Sequence, residues 1–518
     1  MKKSSPLVKE NKYEQKDPLE RLILQYIAEE LKIEAFLARY ILIRYNLKNF
    51  FLKRGDNKSY LGVYRLDKNL KRWIEVKKEE LEGIVQKEFY ELVEKRIIKP
   101  KIKIEKDESG NEVKTPIEPF LSIRLKNEII DFIERENHEY VEEDNNKVIG
   151  FNNALLDWNI LLSGFNSASI SLKQNLGDNI PFTLWNIPHD LDVNLLKSLL
   201  ELEEVDIEKE KKIIEREIPK TVEIFKQWAS DDWLLLFEII GYCLLPAYPM
   251  HKAFMLIGTG ANGKSTYLTL VRRILGNHNV VSISLQELNE YKFATASLFG
   301  KLANIYADLP SKPLFHTGTF KMLTGEDSIT AARKFKDSIQ FNNVAKLIFS
   351  TNQLPDTKDL SPAFFDRWVI IEFPNRFERR VSNEQFIDEN FNEKEIKKII
   401  ALGIFAILLA LKRGSFSEKK EGAIKEKWLR LSDSTYAFIQ DMIKERIITL
   451  EKDGKVEGPA LYDLYKKYCE KNDLEPKDIK AFYDLIKDKF GLERYKREGY
   501  TYIKGVSVNG EKLSDYIE

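Results

Sequence analysis

Between residues 250 and 375 the hydrophobic positions form short runs that alternate with helical patterns. Short apolar runs rich in β-branched and aromatic residues are typical of buried strands. Strands that alternate with helices favour a mostly parallel sheet covered on both faces. The pattern therefore predicts an α/β domain with five strands: AFMLI at 253–257, VVSIS at 280–284, KLANIYA at 301–307, AKLIFS at 345–350 and WVIIEF at 368–373.

The remaining sequence predicts further modules on either side of this domain. Residues 1–115 alternate amphipathic helical patterns with a strand-like piece at 60–76 whose centre, DKN, indicates a turn, so a small α+β module is expected. The polar stretch KDESGNEVKTP at 106–116 predicts a linker, and mainly helical patterns follow it. ALGIFAILLAL at 401–411 indicates a buried helix, and GLERYKREGYTYIKG at 491–505 indicates a hairpin behind helices.

Composition narrows the function classes only slightly. A chain of 518 residues predicts several domains. Its 82 Lys and Arg residues balance its 82 Asp and Glu residues, so binding to a polyanion would have to come from local basic patches. The two cysteines are far apart and lack zinc-site spacing, so an intracellular compartment is expected. The amino terminus MKKSSPLVKE lacks the apolar core of a signal peptide, and no apolar stretch approaches the roughly 18 residues of a membrane span. No membrane association is expected.

A glycine-rich stretch, GTGANGKST, directly follows the first apolar run. It fits the spacing G-x-x-x-x-G-K-[S/T], and the helical pattern KSTYLTLVRRIL overlaps its end. Glycines let backbone N–H groups surround phosphates, and a helix N-terminus adds a favourable dipole. We expect Lys264 to reach the β- and γ-phosphates of ATP and Ser265 to ligate Mg²⁺. The alternative is an ordinary turn before a helix. The expected nucleotide-binding residues are Gly258, Thr259, Gly260, Ala261, Asn262, Gly263, Lys264, Ser265 and Thr266.

Three residues after later strands are candidates for the remaining chemistry. Asp308 closes KLANIYAD and could hold the metal, although an Asp there could instead cap a helix. Asn352, at the end of AKLIFSTN, could orient the attacking water, although Asn is also a common turn former. Arg367 precedes a buried strand and could stabilise charge on a neighbouring subunit's nucleotide. Its alternative is a salt bridge to Asp366 or another carboxylate.

The order of GTGANGKST, NIYAD, FKMLTGEDSITAARKFK, LIFSTNQLP and FFDRW resembles the superfamily 3 helicases, which are AAA+ motors of viruses, phages and plasmids. Within them it is most similar to the primase-helicase branch of poxvirus and phage replication proteins and of archaeal plasmid replication proteins. VIGFNNALLDW through NIPHDLDV resembles the segment before the motor, and the last module resembles a winged-helix domain.

This resemblance implies an α/β fold with an AAA+ P-loop ATPase core, a helical or α+β N-terminal region and a C-terminal winged helix. The implied segments are an α+β module at 1–115, a helical collar and oligomerisation region at 116–245, the motor core at 246–380, a helical lid or linker at 381–430 and a winged-helix-like DNA-binding domain at 431–518.

The resemblance also implies individual roles. Lys264, Ser265 and Thr266 match Walker A, Asp308 matches the Walker B acid, Asn352 the sensor and Arg367 the arginine finger. Residues 320–336 match a motif whose hairpin lines the central pore. Its tip, like the C-terminal tail, carries cations expected to contact DNA phosphates, although three cations near a turn are also ordinary exposed surface. These cations are Arg333, Lys334 and Lys336 at the tip and Lys477, Lys480, Lys496 and Arg497 in the tail.

The function implied is that of an ATP- and Mg²⁺-dependent, ring-forming DNA helicase that translocates on single-stranded DNA during replication of a virus, phage or plasmid. Its expected partners are single-stranded and forked DNA, further copies in a hexameric ring, and a separate primase or polymerase, in the cytoplasm of the host cell if the protein is viral. The metal site of a primase needs carboxylates on strands. Asp190 and Asp192 have the D-x-D spacing, but they follow a proline in a loop-like stretch, so primase activity is not expected. The alternative is a nucleotide-gated initiator or loader without unwinding. A small-molecule kinase is disfavoured because no acceptor-binding lid is evident.

Overall fold

The computed structural model describes residues 16–509 except for short gaps at 55–56, 69–70, 108, 143–146, 165–166, 177–179, 292, 311, 315, 334–335, 358, 379–380, 419–423 and 473. The chain divides into two compact units, Met1–Asp190 and Leu191–Glu518. Each unit is described by itself.

The first unit contains two four-stranded sheets and five α-helices within its described residues. One sheet has the strand order β3-β2-β1-β6 and the other has the order β10-β7-β8-β9, while β4 and β5 form a separate hairpin. In chain order the elements are α1 (Pro18–Ile27), α2 (Ile33–Arg44), β1 (Leu47–Arg54), β2 (Asn57–Asp67), β3 (Arg72–Glu75), α3 (Lys78–Glu94), β4 (Lys101–Lys106), β5 (Glu112–Ile117), α4 (Ile123–Arg135), β6 (His138–Glu142), β7 (Val148–Gly150), β8 (Ala154–Asp157), α5 (Trp158–Gly164), β9 (Ile170–Leu172) and β10 (Trp185–Asn186).

The predicted boundary at 115/116 falls within the first unit. Buried residues of α2 and α3, such as Phe36 and Phe89, share one core with Ile129 and Ile133 of α4, so this core continues across the boundary. The expected linker forms most of the β4–β5 hairpin, in which Lys106 lies opposite Glu112. Polar and apolar residues alternate in both of its strands, and this pattern favours strands even where every residue is exposed.

The helical region expected at 116–245 is helical only in part. It contains β6 to β10, whose two to five residues are too few to show a clear alternation in the sequence. The helices between 193 and 243 belong to the second unit, which therefore extends across the predicted boundary at 245/246.

The second unit is built on a five-stranded parallel sheet. The strand order is β12-β13-β16-β11-β17, and these strands are the five that the apolar runs predicted. Its elements begin with α6 (Val193–Leu200), α7 (Ile207–Glu217), α8 (Pro219–Ala229), α9 (Trp233–Cys243), β11 (Ala253–Ile257), α10 (Lys264–Leu275), β12 (Val280–Val281), α11 (Leu285–Glu290), β13 (Ala303–Tyr306), α12 (Gly318–Leu323), β14 (Ser328–Arg333), β15 (Lys336–Asn342), β16 (Lys346–Thr351), α13 (Pro362–Phe365), β17 (Trp368–Glu372), α14 (Asn383–Asn390) and α15 (Glu393–Arg413).

Two long helices, α9 and α15, pack closely beside this sheet. A Cβ atom on Gly241 of α9 would lie 1.9 Å from the backbone oxygen of Gly403 in α15, so the two helix backbones are in direct contact. Nearly all of α15 from Ile396 to Ala410 is buried, which confirms the predicted buried helix. In the described part of the chain no helix is long and apolar enough to cross a membrane.

The last module follows α16 (Ile424–Ser432), so the predicted boundary at 430/431 falls inside a helix. Asp433 and Asp478 accept backbone N–H groups at the starts of α17 and α19. The sheet order is β18-β20-β19, and β19 and β20 confirm the predicted C-terminal hairpin. The elements are α17 (Ser434–Lys444), β18 (Ile448–Glu457), α18 (Gly458–Lys471), α19 (Ile479–Phe490), β19 (Glu493–Arg497) and β20 (Tyr500–Val508).

Candidate functional site

The glycine-rich loop connects the carboxyl end of β11 to the first residue of α10. Gly260, Ala261 and Gly263 have φ angles of 105°, 49° and 92°, all in the left-handed region. Successive residues of this kind turn backbone N–H groups toward one concave side, which suits an anion. A Cβ atom on Gly263 would lie 2.4 Å from a ring carbon of Trp228, so only glycine fits there.

Lys264 has three hydrogen-bond acceptors, and none of the three is a carboxylate. Its ammonium donates to the Gly258 backbone oxygen at 2.5 Å, to Asn262 Oδ1 at 3.1 Å and to Asn352 Oδ1 at 3.3 Å. Burial lowers the pKa of Lys264 to about 8, and the charge of Asp308 opposes that shift. A cation in this environment gains strongly from an anion placed beside it.

Asn262 fixes part of this arrangement from a buried position. Its amide nitrogen donates to the Phe373 backbone oxygen at 3.2 Å, while its oxygen accepts from Lys264. A Cβ atom on Gly258 would lie 1.8 Å from that nitrogen, which explains the glycine at this position. The orientation of the lysine is therefore set by the fold of the loop itself.

Asp308 and Asn352 lie after neighbouring strands, β13 and β16, at the same edge of the sheet. Asp308 is exposed, has a φ of 60°, and donates its backbone N–H to Ser350 Oγ at 3.3 Å. It does not cap a helix, because the next described helix begins at Gly318 with Thr317 as its N-cap. The fold brings both side chains to the loop, as the sequence predicted.

A cavity of about 630 Å³ opens over the loop. Its polar wall contains Asp308, Asn352 and the predicted residues from Gly260 to Thr266, whereas Gly258 and Thr259 do not line it. Its other wall was missed by the sequence analysis, because it comes from α8, α14 and the segment after β17, where no motif marks it. These missed residues are Gln227, Trp228, Phe377, Glu378, Val381, Ser382, Asn383 and Phe386.

The cavity can bind a hard cation such as Mg²⁺ only if a bound ligand supplies some of the coordinating oxygens. No group of three or more His, Cys, Asp or Glu side chains suited to a metal occurs among the described residues. The Ser265 hydroxyl and the Asp308 carboxylate both line the cavity, and these oxygen ligands suit Mg²⁺ when phosphates complete its shell. The Thr266 hydroxyl already has a hydrogen-bond partner, because it donates to Asn383 Oδ1 at 2.9 Å.

Arg367 lies away from this cavity. It precedes β17, at the amino end of the parallel sheet, and it is not among the lining residues. One guanidinium nitrogen donates to the Ala363 backbone oxygen, while its buried Nε has no hydrogen-bond partner. No ion pair with Asp366 or another carboxylate is present in the described part of the chain.

The predicted DNA-contacting cations lie in two other places. Arg333 and Lys336 pair at the end of the β14–β15 hairpin, in which Ser328 lies opposite Asn342. Lys334 lies outside the described residues, as does the side chain of Lys336. In the last module Lys496 and Arg497 are exposed on β19.

The two other predicted tail cations differ from each other. Lys477 forms an ion pair with the buried Asp433 at 3.3 Å, so its ammonium has a structural partner. Lys480 is exposed near the start of α19.

Residues 256–367 match a family described as "Family of unknown function (DUF5906)". This match spans the glycine-rich loop, Asp308, Asn352 and Arg367. It covers less than a quarter of the 518 residues, and its description assigns no activity.

Two solved structures align with much of the chain at low similarity. The A form apo structure of the NrS-1 C terminal region gives 11% identity and a TM-score of 0.36 over 92% of this chain and 100% of that chain. The JCV helicase, solved with a bound acetamide compound, gives 12% identity and a TM-score of 0.23 over 48% of this chain and 72% of that chain. TM-scores this low do not establish a shared fold.

A curated relative gives a sequence match with a functional name. The protein of Acanthamoeba polyphaga mimivirus named "Putative helicase L207/L206" is 25% identical over 261 residues. That match covers 45% of this chain, and the chain spans about a quarter of the length of the relative. Part of this α/β chain with a parallel sheet is therefore similar in sequence to a helicase-like viral protein.

Proposed function

We propose that the second unit is an ATP-hydrolysing motor that acts on DNA, in the manner of a replicative helicase. The observation that carries this proposal is the position of Lys264. A buried ammonium, held by three neutral oxygens, lies at the start of a helix beneath a loop with left-handed residues. This environment suits the β- and γ-phosphates of a nucleotide.

The residues around Lys264 have complementary roles in this proposal. The backbone N–H groups from Gly260 to Gly263 bind phosphate oxygens, and Lys264 exchanges its neutral acceptors for the charged ones. Ser265 and Asp308 hold Mg²⁺, which neutralises phosphate charge when it is bound. Asn352, already within hydrogen-bond distance of Lys264, orients the attacking water.

The aromatic wall supports a nucleotide rather than a simple phosphate as the ligand. Trp228 and Phe386 have ring centroids 6.1 Å apart, and both line the cavity beside the loop. Apolar and aromatic surface next to a phosphate site suits the base or ribose of a nucleotide. A cavity of about 630 Å³ has the size of a small-molecule site.

The DNA-binding part of the proposal rests on the two cationic projections. The β14–β15 hairpin ends at the pair Arg333 and Lys336, with Lys334 between them in the sequence, and in a ring of subunits this end would face the central strand. The last module has the order helix, strand, helix, helix and hairpin, which is the order of a winged helix, and it exposes Lys496 and Arg497 on the hairpin. Contacts to backbone phosphates at both places would hold the DNA without distinguishing its base sequence.

The test uses a forked DNA duplex with a fluorophore and quencher on its paired ends. We expect strand separation that requires ATP and Mg²⁺, and ATP hydrolysis that rises when single-stranded DNA is added. Hydrolysis with tight DNA binding but no strand separation would favour a nucleotide-gated initiator or loader. Absence of any DNA effect on hydrolysis would contradict a DNA motor.

A further inference from the structure

The segment that begins with Asn352 also contacts the helix that leads into the last module. Residues 352–356 follow β16, and Asn352 accepts from the Lys264 ammonium at 3.3 Å. The next residue, Gln353, donates its side-chain amide to the Ser432 backbone oxygen at 3.2 Å. Ser432 is the last residue of α16. Two consecutive residues of the segment therefore contact the cavity lysine on one side and the entry to the last module on the other.

Trp428 of α16 holds the far part of the same segment. It is fully buried, and its ring N–H donates to the Pro355 backbone oxygen at 3.1 Å. Its ring centroid lies 5.1 Å from that of Trp368, which directly follows Arg367. Leu354 belongs to the same buried core cluster as both tryptophans. Because close-packed cores transmit small displacements, we expect α16 and the segment to shift together.

Asp356, the last residue of the segment, lies beside an ion-pair cluster of the last module. Its carboxylate is 3.9 Å from the Lys489 ammonium of α19. The same ammonium pairs at 2.7 Å with Asp433, which is buried and accepts a backbone N–H at the start of α17. The segment is therefore linked to α16 and α19 directly, and to the start of α17 through Lys489.

We propose that segment 352–356 couples the ATP cavity to the last module, with Gln353 and Trp428 as positioning residues for Asn352. This inference rests on the proposed function, in which Lys264 exchanges its neutral acceptors for phosphate oxygens. That exchange releases the Asn352 amide, and the resulting shift of the segment reaches α16 through the two positioning residues. By thermodynamic linkage, a ligand of the last module changes the affinity for nucleotide by the same factor as nucleotide changes the affinity for that ligand.

The first test measures amide hydrogen exchange of the full chain with and without a non-hydrolysable ATP analogue and Mg²⁺. We expect the analogue to change exchange rates in α16 and α17 by about fivefold or more, in addition to those around the cavity. Gln353→Met keeps the length of the side chain and removes its amide donor. In this variant the change around the cavity should remain, whereas the change in α16 and α17 should be lost.

Steady-state kinetics distinguishes positioning from a general loss of stability. Gln353→Met should lower kcat by about fivefold, the effect of one neutral hydrogen bond, and leave the KM for ATP within about twofold. Gln353→Lys, which keeps an N–H donor of similar reach, should restore most of kcat. Gln86→Met is the matched control, because Gln86 is an exposed glutamine of α3, and it should change neither constant.

The outcomes separate this inference from the proposed function. No binding of the analogue at the cavity would remove both. Binding with exchange changes confined to the cavity of the wild type would overturn the coupling alone. The same result follows if Gln353→Met keeps the wild-type changes in α16 and α17, or if its kcat equals that of the wild type.

A second variant covers the case in which Gln353→Met does not fold. Asp356→Asn removes the charge beside Lys489 and keeps an oxygen that accepts the Thr357 backbone N–H, as Asp356 does at 3.1 Å. We expect the analogue to cause a smaller exchange change in α17 and α19 of this variant than in the wild type. Equal changes in the two chains would overturn the coupling.

Discussion

Lys264 and Arg367 lie at opposite ends of the same pair of neighbouring strands. In β11 and β17, Ala253 is opposite Trp368 and Ile257 is opposite Glu372. Arg367 directly precedes the first of these pairs, whereas the loop that ends in Lys264 follows the last. At about 3.3 Å per residue, five residues of strand separate the two ends by roughly 16 Å, so Arg367 does not reach the cavity of its own chain.

If Arg367 acts in hydrolysis, it therefore acts on the nucleotide of a neighbouring subunit. We expect Arg367→Ala to lower ATP turnover by about 10³ to 10⁵, the usual cost of removing an arginine finger. Arg216→Ala, which removes an exposed arginine of α7, should change turnover by less than about twofold.

Mixed assemblies test the shared site directly. Arg367→Ala subunits keep Lys264, and Lys264→Ala subunits keep Arg367, so their mixture should recover hydrolysis where the two types adjoin. Normal turnover by Arg367→Ala alone, or no recovery despite co-assembly, would rule out a site shared between subunits.

The strand pattern and the loop chemistry were readable from the sequence because both are local. All of β11 and all but the last residue of β17 are buried, so AFMLI and WVII appear as continuous apolar runs. The glycines of the loop are required by backbone geometry, and the spacing to Lys264 keeps the lysine at the helix start.

The aromatic wall and the unit boundary were not readable because both depend on tertiary contacts. Trp228 lies 35 residues before Gly263 and contacts the loop only because α8 packs there, as its close approach to Gly263 shows. The β4–β5 hairpin is polar and exposed, so its composition matched that of a linker although its alternation is that of strands.

The affinity for ATP should depend on pH through Lys264. Its pKa of about 8 in the ligand-free protein means that the amine loses its proton as the pH rises above 8. Bound phosphates favour the charged form and raise that pKa, so binding above pH 8 requires uptake of a proton. The Kd for ATP should therefore rise between pH 8 and pH 9.5, by up to about tenfold per pH unit.

Calorimetry at pH 7, 8, 9 and 9.5, in buffers of different ionisation enthalpy, measures both the Kd and the proton uptake. Lys264→Met is the matched control, and its weaker binding should lack this proton uptake. A wild-type Kd that stays constant across the range, with the protein still folded, would show that Lys264 is not the group in contact with the phosphates.

The last module should contribute to DNA binding and not to hydrolysis. Replacing exposed Lys496 and Arg497 of β19 with Gln should weaken duplex binding and lower the log–log salt slope by about 2. Basal ATP turnover should stay within about twofold. Lys466→Gln is the control, because Lys466 is an exposed cation on α18, outside the β19–β20 hairpin.

Fluorescence anisotropy of a labelled duplex across salt concentrations makes this comparison. Superimposable isotherms for the double variant and the parent chain would mean that the β19–β20 hairpin does not contact DNA. The last module would then have a different partner.

The contact between α9 and α15 should tolerate no added methyl group. A Cβ atom at position 241 would lie 1.9 and 2.5 Å from backbone atoms of Gly403 and 2.9 Å from Ile407 Cγ2, so one helix has to move. We expect Gly241→Ala to lower the free energy of unfolding by about 2–3 kcal/mol or more.

Gly318→Ala is the control in the same unit. Gly318 is exposed at the start of α12, and a Cβ atom there has no neighbour within 4 Å, so its effect should stay within about 0.5 kcal/mol. Denaturant titration followed by circular dichroism gives both values. Equal stability of the two variants would contradict the close helix packing.

The most direct test of the proposed motor is the steady-state rate of ATP hydrolysis by the full chain, compared between wild type and Lys264→Ala. The substitution removes an ammonium aimed at the cavity and little core volume, so the fold should remain while turnover falls by about 10² or more. Lys252→Ala, which alters a cation at the amino end of β11, should keep wild-type turnover. Turnover by Lys264→Ala within a few-fold of wild type would contradict the assignment of this cavity as the site of hydrolysis.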